Sequence, residues 1–317
     1  MNERCHTHIP VLLKETISML ITDRDGLYID ATFGRGSHAK AILEELSEAG
    51  RLIAFDKDPE AVNYANVHFI KDKRFSIFHA SFAGMADCLK ERDACGQVHG
   101  ILFDLGVSSP QLDNPMRGFS FSREGALDMR MDTTKGQDAM RWLATVDEKA
   151  LADVLWQYGE ERFSRRIARA IVASRLKAPI TTTTQLADII KYAQPKTKQE
   201  RHPATRSFQA IRIAINDELG DLEKGLVQAK EALVVGGRLL VISFHSLEDG
   251  IVKRFMKERD KEDALPRKLP IKKTVSKRTL KVLCNPIKPT KEEIDRNPRS
   301  RSAVLRVAEK VFSEELP

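Results

Sequence analysis

Leu27-Tyr-Ile-Asp-Ala-Thr-Phe-Gly-Arg-Gly-Ser-His38 is the segment that most clearly indicates the architecture of this chain. Its apolar start ends in Asp30 and leads into a turn with two glycines, a pattern typical of a buried strand followed by a tight turn and a helix. Two further apolar runs also end in an aspartate, at Asp56 and Asp104. Because parallel α/β sheets bind ligands beyond the carboxyl ends of their strands, the three acids predict one polar rim.

Strand and helix signals alternate on both sides of this stretch, and the repetition predicts an α/β fold with a mostly parallel, doubly wound sheet. The strands are continuously apolar, which is typical of burial on both faces. Between about residues 112 and 205 strand signals are absent and helical stripes take their place. We therefore expect a discontinuous α/β domain, residues 1–111 and 206–317, interrupted by an all-helical insert, residues 112–205.

The composition indicates a globular protein. Hydrophobic residues make up 42% and charged residues 31% of the 317 residues, the balance of an ordinary folded chain. No apolar run approaches the roughly 18 residues of a membrane span, and the first residues lack the apolar core of a signal peptide. We therefore expect a cytoplasmic protein that does not span a membrane.

The four cysteines predict neither a disulfide framework nor a zinc ribbon, because no Cys-x-x-Cys pair occurs. The cluster Cys5-His-Thr-His8 could chelate a metal, but such a segment is more often an ordinary chain end. We expect no metal site.

Basic residues are concentrated near the C-terminus. The formal net charge is +7, and residues 251–310 hold 19 Lys and Arg against 8 Asp and Glu, which leaves a net charge of −4 on the rest of the chain. A local excess of this kind is expected where a surface meets phosphates. Solvated charge that only aids solubility is the alternative.

The glycine turn predicts a nucleoside cofactor. Glycine lets the main chain approach a ligand closely, and the N-terminus of the following helix faces polar or anionic groups. Asp56 follows Gly34 by roughly 20 residues, the spacing at which an acid accepts hydrogen bonds from ribose hydroxyls.

Two cofactor classes fit this turn. The pattern Gly34-x-Gly36-x-x-Ala39 matches the dinucleotide fingerprint, so a nicotinamide dehydrogenase is one interpretation. S-adenosylmethionine is the favoured one, because Asp30 would repel two phosphates but attract a cationic amino-acid tail. Asp104 adds a third acid, suited to a sulfonium charge. A turn that merely reverses the chain explains the glycines but not the three acids.

Eight blocks of sequence resemble one known family when taken in order. They are Asp30-Ala-Thr-Phe-Gly-Arg-Gly-Ser-His38, Leu105-Gly-Val-Ser-Ser-Pro-Gln111, Gly118-Phe-Ser-Phe121, Leu127-Asp-Met-Arg-Met-Asp132, Tyr158-Gly-Glu-Glu-Arg-Phe163, His202-Pro-Ala-Thr-Arg-Ser-Phe-Gln209, Ile242-Ser-Phe-His-Ser-Leu-Glu-Asp249 and Asn297-Pro-Arg-Ser-Arg-Ser302. The family is that of the bacterial 16S ribosomal RNA cytosine-N4 methyltransferases, the MraW type. The resemblance extends from about His8 to Glu309 and is weakest over residues 260–293.

The resemblance implies a Rossmann-like class I methyltransferase domain, with a helical insert that recognises the RNA. It implies S-adenosylmethionine as cofactor and, as substrate, a cytidine in the decoding region of 16S ribosomal RNA within the small ribosomal subunit. With Gly34 of the turn, the cofactor-binding residues are then Gly34, Gly36, Ser37, His38, Asp56, Phe82, Asp104 and Gln111. Ser37 stands where the family often has glycine. The sequence leaves a monomer and a homodimer open.

Methyl transfer to cytosine needs an acceptor for its exocyclic N–H groups, because the lone pair of that amine is conjugated into the ring. Asp104 is the candidate acceptor, and pure cofactor binding is its rival role. The segment from Asp104 to Pro110 lacks the double proline that many exocyclic-amine methyltransferases place at this strand.

A few other residues have two interpretations. His245 either lines a base pocket or is a hydrogen-bonded structural histidine. Trp142 and Trp156 could stack on bases, but at helical positions they more often belong to a core. A basic helix face, suited to phosphates or simply solvated, comprises Arg162, Arg165, Arg166 and Arg169. A non-catalytic RNA-binding protein with a degenerate cofactor fold is the alternative from another class; the motifs of a cytidine deaminase are absent.

Overall fold

The structure, a computed structural model, describes residues 10–195, 202–257 and 279–311. The chain divides into two compact units, one formed by Met1–Gly106 with Gly220–Pro317 and the other by Val107–Leu219. Each unit has a hydrophobic core of its own. The Cys5–His8 cluster and part of the basic C-terminal segment lie outside the described residues.

A seven-stranded sheet forms the centre of the first unit. Its strands are β1 (Leu27–Asp30), β2 (Arg51–Asp56), β3 (Phe75–His79), β4 (Val98–Asp104), β5 (Leu233–Ser243), β6 (Leu280–Val282) and β7 (Val304–Lys310). They lie in the order β3-β2-β1-β4-β5-β7-β6, with β1 to β5 parallel and β7 antiparallel to both its neighbours. The predicted mostly parallel α/β sheet is confirmed.

Helices flank this sheet and build the second unit. In chain order they are α1 (Leu13–Leu20), α2 (Ser37–Glu45), α3 (Pro59–His68), α4 (Met85–Lys90), α5 (Ser109–Asp113), α6 (Ala139–Thr145), α7 (Glu148–Gly159), α8 (Ser164–Arg175), α9 (Thr183–Ala193), α10 (Thr205–Asn216), α11 (Glu218–Ala232), α12 (Ser246–Met256) and α13 (Lys291–Arg296). The second unit contains α5 to α10, and the others belong to the first unit apart from the start of α11. No described helix is both long and apolar enough to cross a membrane.

The central strands are buried on both faces, as their continuous apolar sequences predict. In β1, β2 and β4 nearly every residue between the strand ends is buried. β3 differs, because all its residues are partly or fully exposed although its sequence is also apolar. It is one of the two edge strands, so it has a sheet neighbour on one side only.

The second unit packs its helices around one apolar core, to which Leu151, Leu155, Ile167 and Ile171 contribute. The helix α10 packs against α7 and buries Phe208 and Ile211 in the same core. The sequence predicts that the chain rejoins the α/β part at residue 206, before most of this helix. The units instead divide after Gly106 and before Gly220, because the apolar face of α10 completes the helical core.

Candidate active site

The three predicted acids lie at one edge of the sheet. Asp30, Asp56 and Asp104 are the last residues of β1, β2 and β4, and these strands are neighbours in the order β2-β1-β4. The strands run parallel, with Asp30 in register with Ala54 on one side and Leu102 on the other. The carboxyl ends of the three strands therefore meet, as the sequence predicted.

The glycine turn is tied to the end of β2. The Gly34 N–H donates to Oδ2 of Asp56 at 2.7 Å, and the Asp58 N–H donates to Oδ1 of the same carboxylate at 2.8 Å. A carboxylate has about four acceptor sites, so each oxygen retains one for a further donor such as a ribose hydroxyl. Asp56 is thus held in place while it keeps the capacity that its predicted role requires.

Gly36 fits this turn for a reason that the sequence did not indicate. It adopts a left-handed φ of 71°, and a Cβ there would lie 2.6 Å from Cζ of Phe33 and 2.7 Å from Cζ of Phe69. Two aromatic rings, packed edge to face at 5.2 Å, fill the space beside the glycine. The absence of a side chain at Gly36 therefore serves aromatic packing as well as the turn.

Thr32 joins the ends of the two central strands. The backbone N–H of Asp104 donates to Oγ1 of Thr32 at 2.7 Å, and the Thr32 N–H donates to Oδ1 of Asp30 at 3.1 Å. The threonine hydroxyl thus fixes the backbone of Asp104 relative to Asp30. Sequence reasoning did not assign a role to Thr32, because a hydroxyl two residues after a strand carries no signal of its partner.

The pKa values of all three acids are raised. Burial, opposed by the Thr32 hydrogen bond, raises the pKa of Asp30 from 3.8 to about 7. Burial, opposed by hydrogen bonds from Asp58 and Gly34, raises that of Asp56 to about 6. For Asp104 burial acts together with repulsion from Asp30 and Glu248, and its pKa rises to about 8. The raised pKa values indicate that the surrounding groups stabilise the ionised carboxylates less well than water does.

Two oxygens of the cluster have no hydrogen-bond partner among the described residues. They are Oδ2 of Asp30 and Oδ1 of Asp104, both buried at the atomic level. A buried, unpartnered carboxylate oxygen is unfavourable unless a ligand supplies a donor or a positive charge. The residues present thus fit S-adenosylmethionine, which carries an ammonium and a sulfonium charge. They do not fit a pyrophosphate, which the same acids would repel.

His38 lies in the first turn of α2 and is 5% exposed. Its Nε2 is 3.1 Å from the carbonyl oxygen of Val11, and its Nδ1 is 3.5 Å from Oδ2 of Asp104. A carbonyl oxygen can only accept, so the hydrogen bond places a proton on Nε2 and turns Nδ1 toward Asp104. Ser37 is the first residue of the same helix, and Gly36 is its N-cap.

Phe82 follows β3 and opens a short 3-10 turn, Phe82–Gly84. Its ring packs edge to face against Phe103 at 5.1 Å, and Gly225 makes room for it, because a Cβ at that position would be 2.6 Å from Cδ2 of Phe82. Beside it, Ser81 donates to Asp221, which also forms an ion pair with Lys57. Phe82 is half-buried and follows the carboxyl end of β3.

Gln111 belongs to the second unit. It is 5% exposed, and its side-chain oxygen accepts from the Ser108 N–H at 2.9 Å in the capping box that begins α5. The side chain thus has a structural role, which the sequence block around it did not reveal.

His245 also caps a helix. Its Nδ1 accepts from the Glu248 N–H at 3.4 Å at the start of α12, and the Glu248 carboxylate accepts from the backbone N–H groups of Phe244 at 2.8 Å and His245 at 3.3 Å. This favours the structural interpretation of His245. The buried Glu248, 3% exposed, is a site residue that the sequence did not single out, although it raises the pKa of Asp104. Among the described residues no group of three or more His, Cys, Asp or Glu could hold a metal ion.

Comparisons with known proteins agree with this geometry. The profile of the MraW methylase family matches residues 5–311. A protein of Marinomonas sp. (strain MWYL1), named ribosomal RNA small subunit methyltransferase H, is 54% identical over 98% of this chain and 99% of its own length. A protein of the same name from Nitrosococcus oceani is 55% identical over 98% of both chains.

These matches cover almost all of both sequences, and they exclude the nicotinamide dehydrogenase that the glycine pattern had left open. The sheet order points the same way, because the reversed strand β7 departs from the parallel 3-2-1-4-5-6 order of dinucleotide-binding folds. The chain belongs to the MraW methylase family and is a methyltransferase whose cofactor is S-adenosylmethionine, as the sequence predicted.

Proposed function

We propose that this protein methylates the exocyclic N4 amine of a cytidine in the decoding region of 16S ribosomal RNA, within the small ribosomal subunit. The relatives carry a name that assigns them to small-subunit ribosomal RNA. The sequence blocks resemble the cytosine-N4 enzymes, and the basic C-terminal segment suits a phosphate-rich partner. A ribosomal substrate would place the reaction in the cytoplasm.

The observation that carries the proposal is the state of Asp104. It ends the strand β4, its side chain is 20% exposed, and its Oδ1 has no hydrogen-bond partner among the described residues. An acceptor oxygen without a donor, at the ligand-binding edge of the sheet, is what an exocyclic amine requires. Oδ2 faces His38, so the two oxygens have different surroundings.

The cofactor would be held by residues at the same strand ends. The unpartnered oxygens of Asp30 and Asp104 would offset its positive charges, and Asp56 would accept its ribose hydroxyls. Phe82 would lie against the adenine. The glycine turn and its helix would form the floor of the site, through Gly34, Gly36, Ser37 and His38. Gln111 is the remaining residue of the proposed set, and the helical insert would recognise the RNA.

When bound, S-adenosylmethionine supplies an electrophilic methyl group. Asp104 would accept a hydrogen bond from the cytosine amine, which directs the nitrogen lone pair out of the ring's conjugation. It would then take the proton that the amine releases. The pKa of Asp104 is about 8 without the cofactor and would fall beside the cofactor's positive charge, so that the carboxylate is ionised and able to take the proton when the amine is in place.

A pair of matched variants tests the role of Asp104. Asp104→Asn keeps an acceptor but cannot take a proton, so we expect turnover at saturating cofactor to fall about 10²- to 10⁴-fold, in addition to weaker cofactor binding from the lost charge. Asp56→Asn, at the neighbouring strand end, should weaken only cofactor binding. Calorimetry and single-turnover kinetics separate the two effects. Normal turnover at saturating cofactor in Asp104→Asn would restrict Asp104 to binding.

The rival from another class is an RNA-binding protein without activity. Incubation of the protein with labelled S-adenosylmethionine and 16S ribosomal RNA from cells that lack it distinguishes the two. We expect label in the RNA, and nucleoside digestion to assign it to N4-methylcytidine. RNA binding without incorporation would support the rival, and label on another nucleoside would refute the proposed position.

A further inference from the structure

The second unit has a groove on its surface whose exposed side chains do not contribute to the helical core. It lies between the end of α7 and the start of α8 and has a volume of about 430 Å³. Its lining residues are Ala152, Asp153, Trp156, Arg162, Phe163, Ser164, Arg165 and Arg166. Three cations and one acid in this set give the groove a positive local charge.

Trp156 is exposed, contrary to the core position that we expected for it. Its exposed fraction is 59%, whereas Trp142 is partly buried against the helical core. Leu151 and Leu155 form the core-facing stripe of α7, so the residue after Leu155 points away from that core. A large ring left in water is unfavourable, and such residues are typical of binding surfaces.

The arginines of the groove have no ion-pair partner in the described part of the chain. Arg162, Arg165 and Arg166 are all exposed. Arg169, on the same helix, differs because it lies 3.7 Å from Glu148. No side-chain cap hydrogen bond forms at the N-terminus of α8, where the groove begins.

We propose that this groove binds single-stranded RNA, with one unpaired base stacked on the Trp156 indole and adjacent phosphates contacted by Arg162, Arg165 and Arg166. The proposal deepens the proposed function and rests on it, since it concerns how the helical insert recognises an RNA substrate. Aromatic stacking on unpaired bases beside a cationic groove is the general mode of single-strand binding. A duplex would not offer its bases in this way.

An acidic peptide is the competing occupant. It would satisfy the arginines, but it gives no reason for an exposed indole in the same groove. A nucleotide uses both features, because its phosphate carries the charge and its base the stacking face. The combination of Trp156 with the three arginines therefore favours RNA.

Binding is tested with the full-length protein and a fluorescein-labelled eight-nucleotide RNA single strand. We expect Trp156→Ala to weaken binding between about fivefold and about a hundredfold, the range for the loss of one stacked base. Intrinsic tryptophan fluorescence should be quenched by the unlabelled RNA in the wild type and much less in this variant. Tyr192→Ala, at an aromatic residue 76% exposed on the same unit, is the matched control and should bind normally.

The arginines are tested by the salt dependence of the same affinity. Replacement of Arg162, Arg165 and Arg166 by Gln should reduce the slope of log affinity against log salt by about 2, given roughly 0.7 per phosphate contact in a single strand. Arg141→Gln, at a side chain 72% exposed on the same unit, should leave the slope unchanged. Thermal unfolding verifies that each variant is folded.

Three outcomes would overturn the groove assignment: normal RNA affinity in Trp156→Ala, equal competition by polyglutamate, or equal binding of a duplex of the same sequence. The same measurements distinguish a failure of the groove assignment from a failure of the proposed function. If the wild type neither methylates 16S ribosomal RNA nor binds the single strand, the substrate class is wrong. If it methylates and the groove variants do so with unchanged affinity, only the groove assignment is wrong.

Discussion

Nδ1 of His38 lies 3.5 Å from Oδ2 of Asp104, although the two residues are far apart in the sequence. The hydrogen bond to the Val11 carbonyl fixes the imidazole, so that its second nitrogen faces the carboxyl group. Because the pKa of Asp104 is raised to about 8, this carboxyl group is protonated at neutral pH in the cofactor-free protein and can offer its proton to the ring. The site is thus arranged to respond to an arriving cation.

Cofactor binding should depend on pH. The pKa values of Asp30 and Asp104, about 7 and about 8, fall when a cation arrives beside their unpartnered oxygens, so binding releases protons near pH 7.5. Calorimetry in two buffers of different ionisation enthalpy measures this release. Asp104→Asn should release fewer protons than the wild type. Equal proton release in the two proteins would mean that Asp104 does not lie beside the positive charge of the cofactor.

The cofactor-free protein should lose stability as pH rises. Asp30, Asp56 and Asp104 hold their protons in the folded state up to pH values of about 7, 6 and 8, whereas the unfolded chain releases them near 3.8. Their contribution is therefore fully present below about pH 4, decreases progressively as pH rises and is fully lost above about pH 8. Thermal unfolding across this range measures the loss, which should be smaller in Asp104→Asn. An identical pH profile in that variant would contradict the raised pKa of Asp104.

The Thr32 hydroxyl should be required for stability. Thr32→Val keeps the shape of the side chain but leaves the Asp104 N–H without its acceptor at 2.7 Å, so we expect a loss of about 1 to 3 kcal/mol in the free energy of unfolding. Turnover should fall as well, because the backbone of Asp104 is no longer fixed. Thr32→Ser retains the hydroxyl and serves as the control. A loss in Thr32→Val no larger than that in Thr32→Ser would contradict a specific contribution of the hydroxyl.

Gly36 and Gly96 offer a comparison of two left-handed glycines. A Cβ at Gly36 would clash with Phe33 and Phe69, whereas at Gly96, with φ of 68°, it would meet nothing within 4 Å. We expect Gly96→Ala to cost about 1 to 2 kcal/mol from backbone conformation alone. Gly36→Ala should cost roughly 1 to 3 kcal/mol more, because the rings must move. Denaturant unfolding measures both, and equal costs would mean that the aromatic packing adapts without penalty.

The strand ends and the mostly parallel sheet could be predicted from the sequence, because each strand and helix has a local sequence pattern. An apolar run that ends in Asp30 or Asp104 needs no knowledge of distant residues, and Asp58 before Pro59 marks the start of α3, where its side chain accepts from the Glu60 N–H at 2.9 Å. The exposure of β3 could not be predicted in this way, because it depends on the order of strands in the sheet.

The three acids at the strand ends could be predicted from the sequence, whereas the residues that contact them could not. The Thr32 hydroxyl, the ring of His38 beside Asp104 and the contribution of Glu248 all depend on contacts between distant segments. Trp156 is different, because a local signal was present. Leu151 and Leu155 set the buried face of α7, and a position one residue later lies about 100° around the helix.

The most direct measurement is nucleoside mass mapping of 16S ribosomal RNA from cells that lack this protein, complemented with the wild type or with Asp104→Asn. We predict that the wild type restores one N4-methylcytidine in the decoding region and that Asp104→Asn, present at the same level, does not. An unmodified RNA with the wild type, or full restoration by Asp104→Asn, would contradict the account of a carboxylate at the end of β4 that accepts the proton of a cytosine amine.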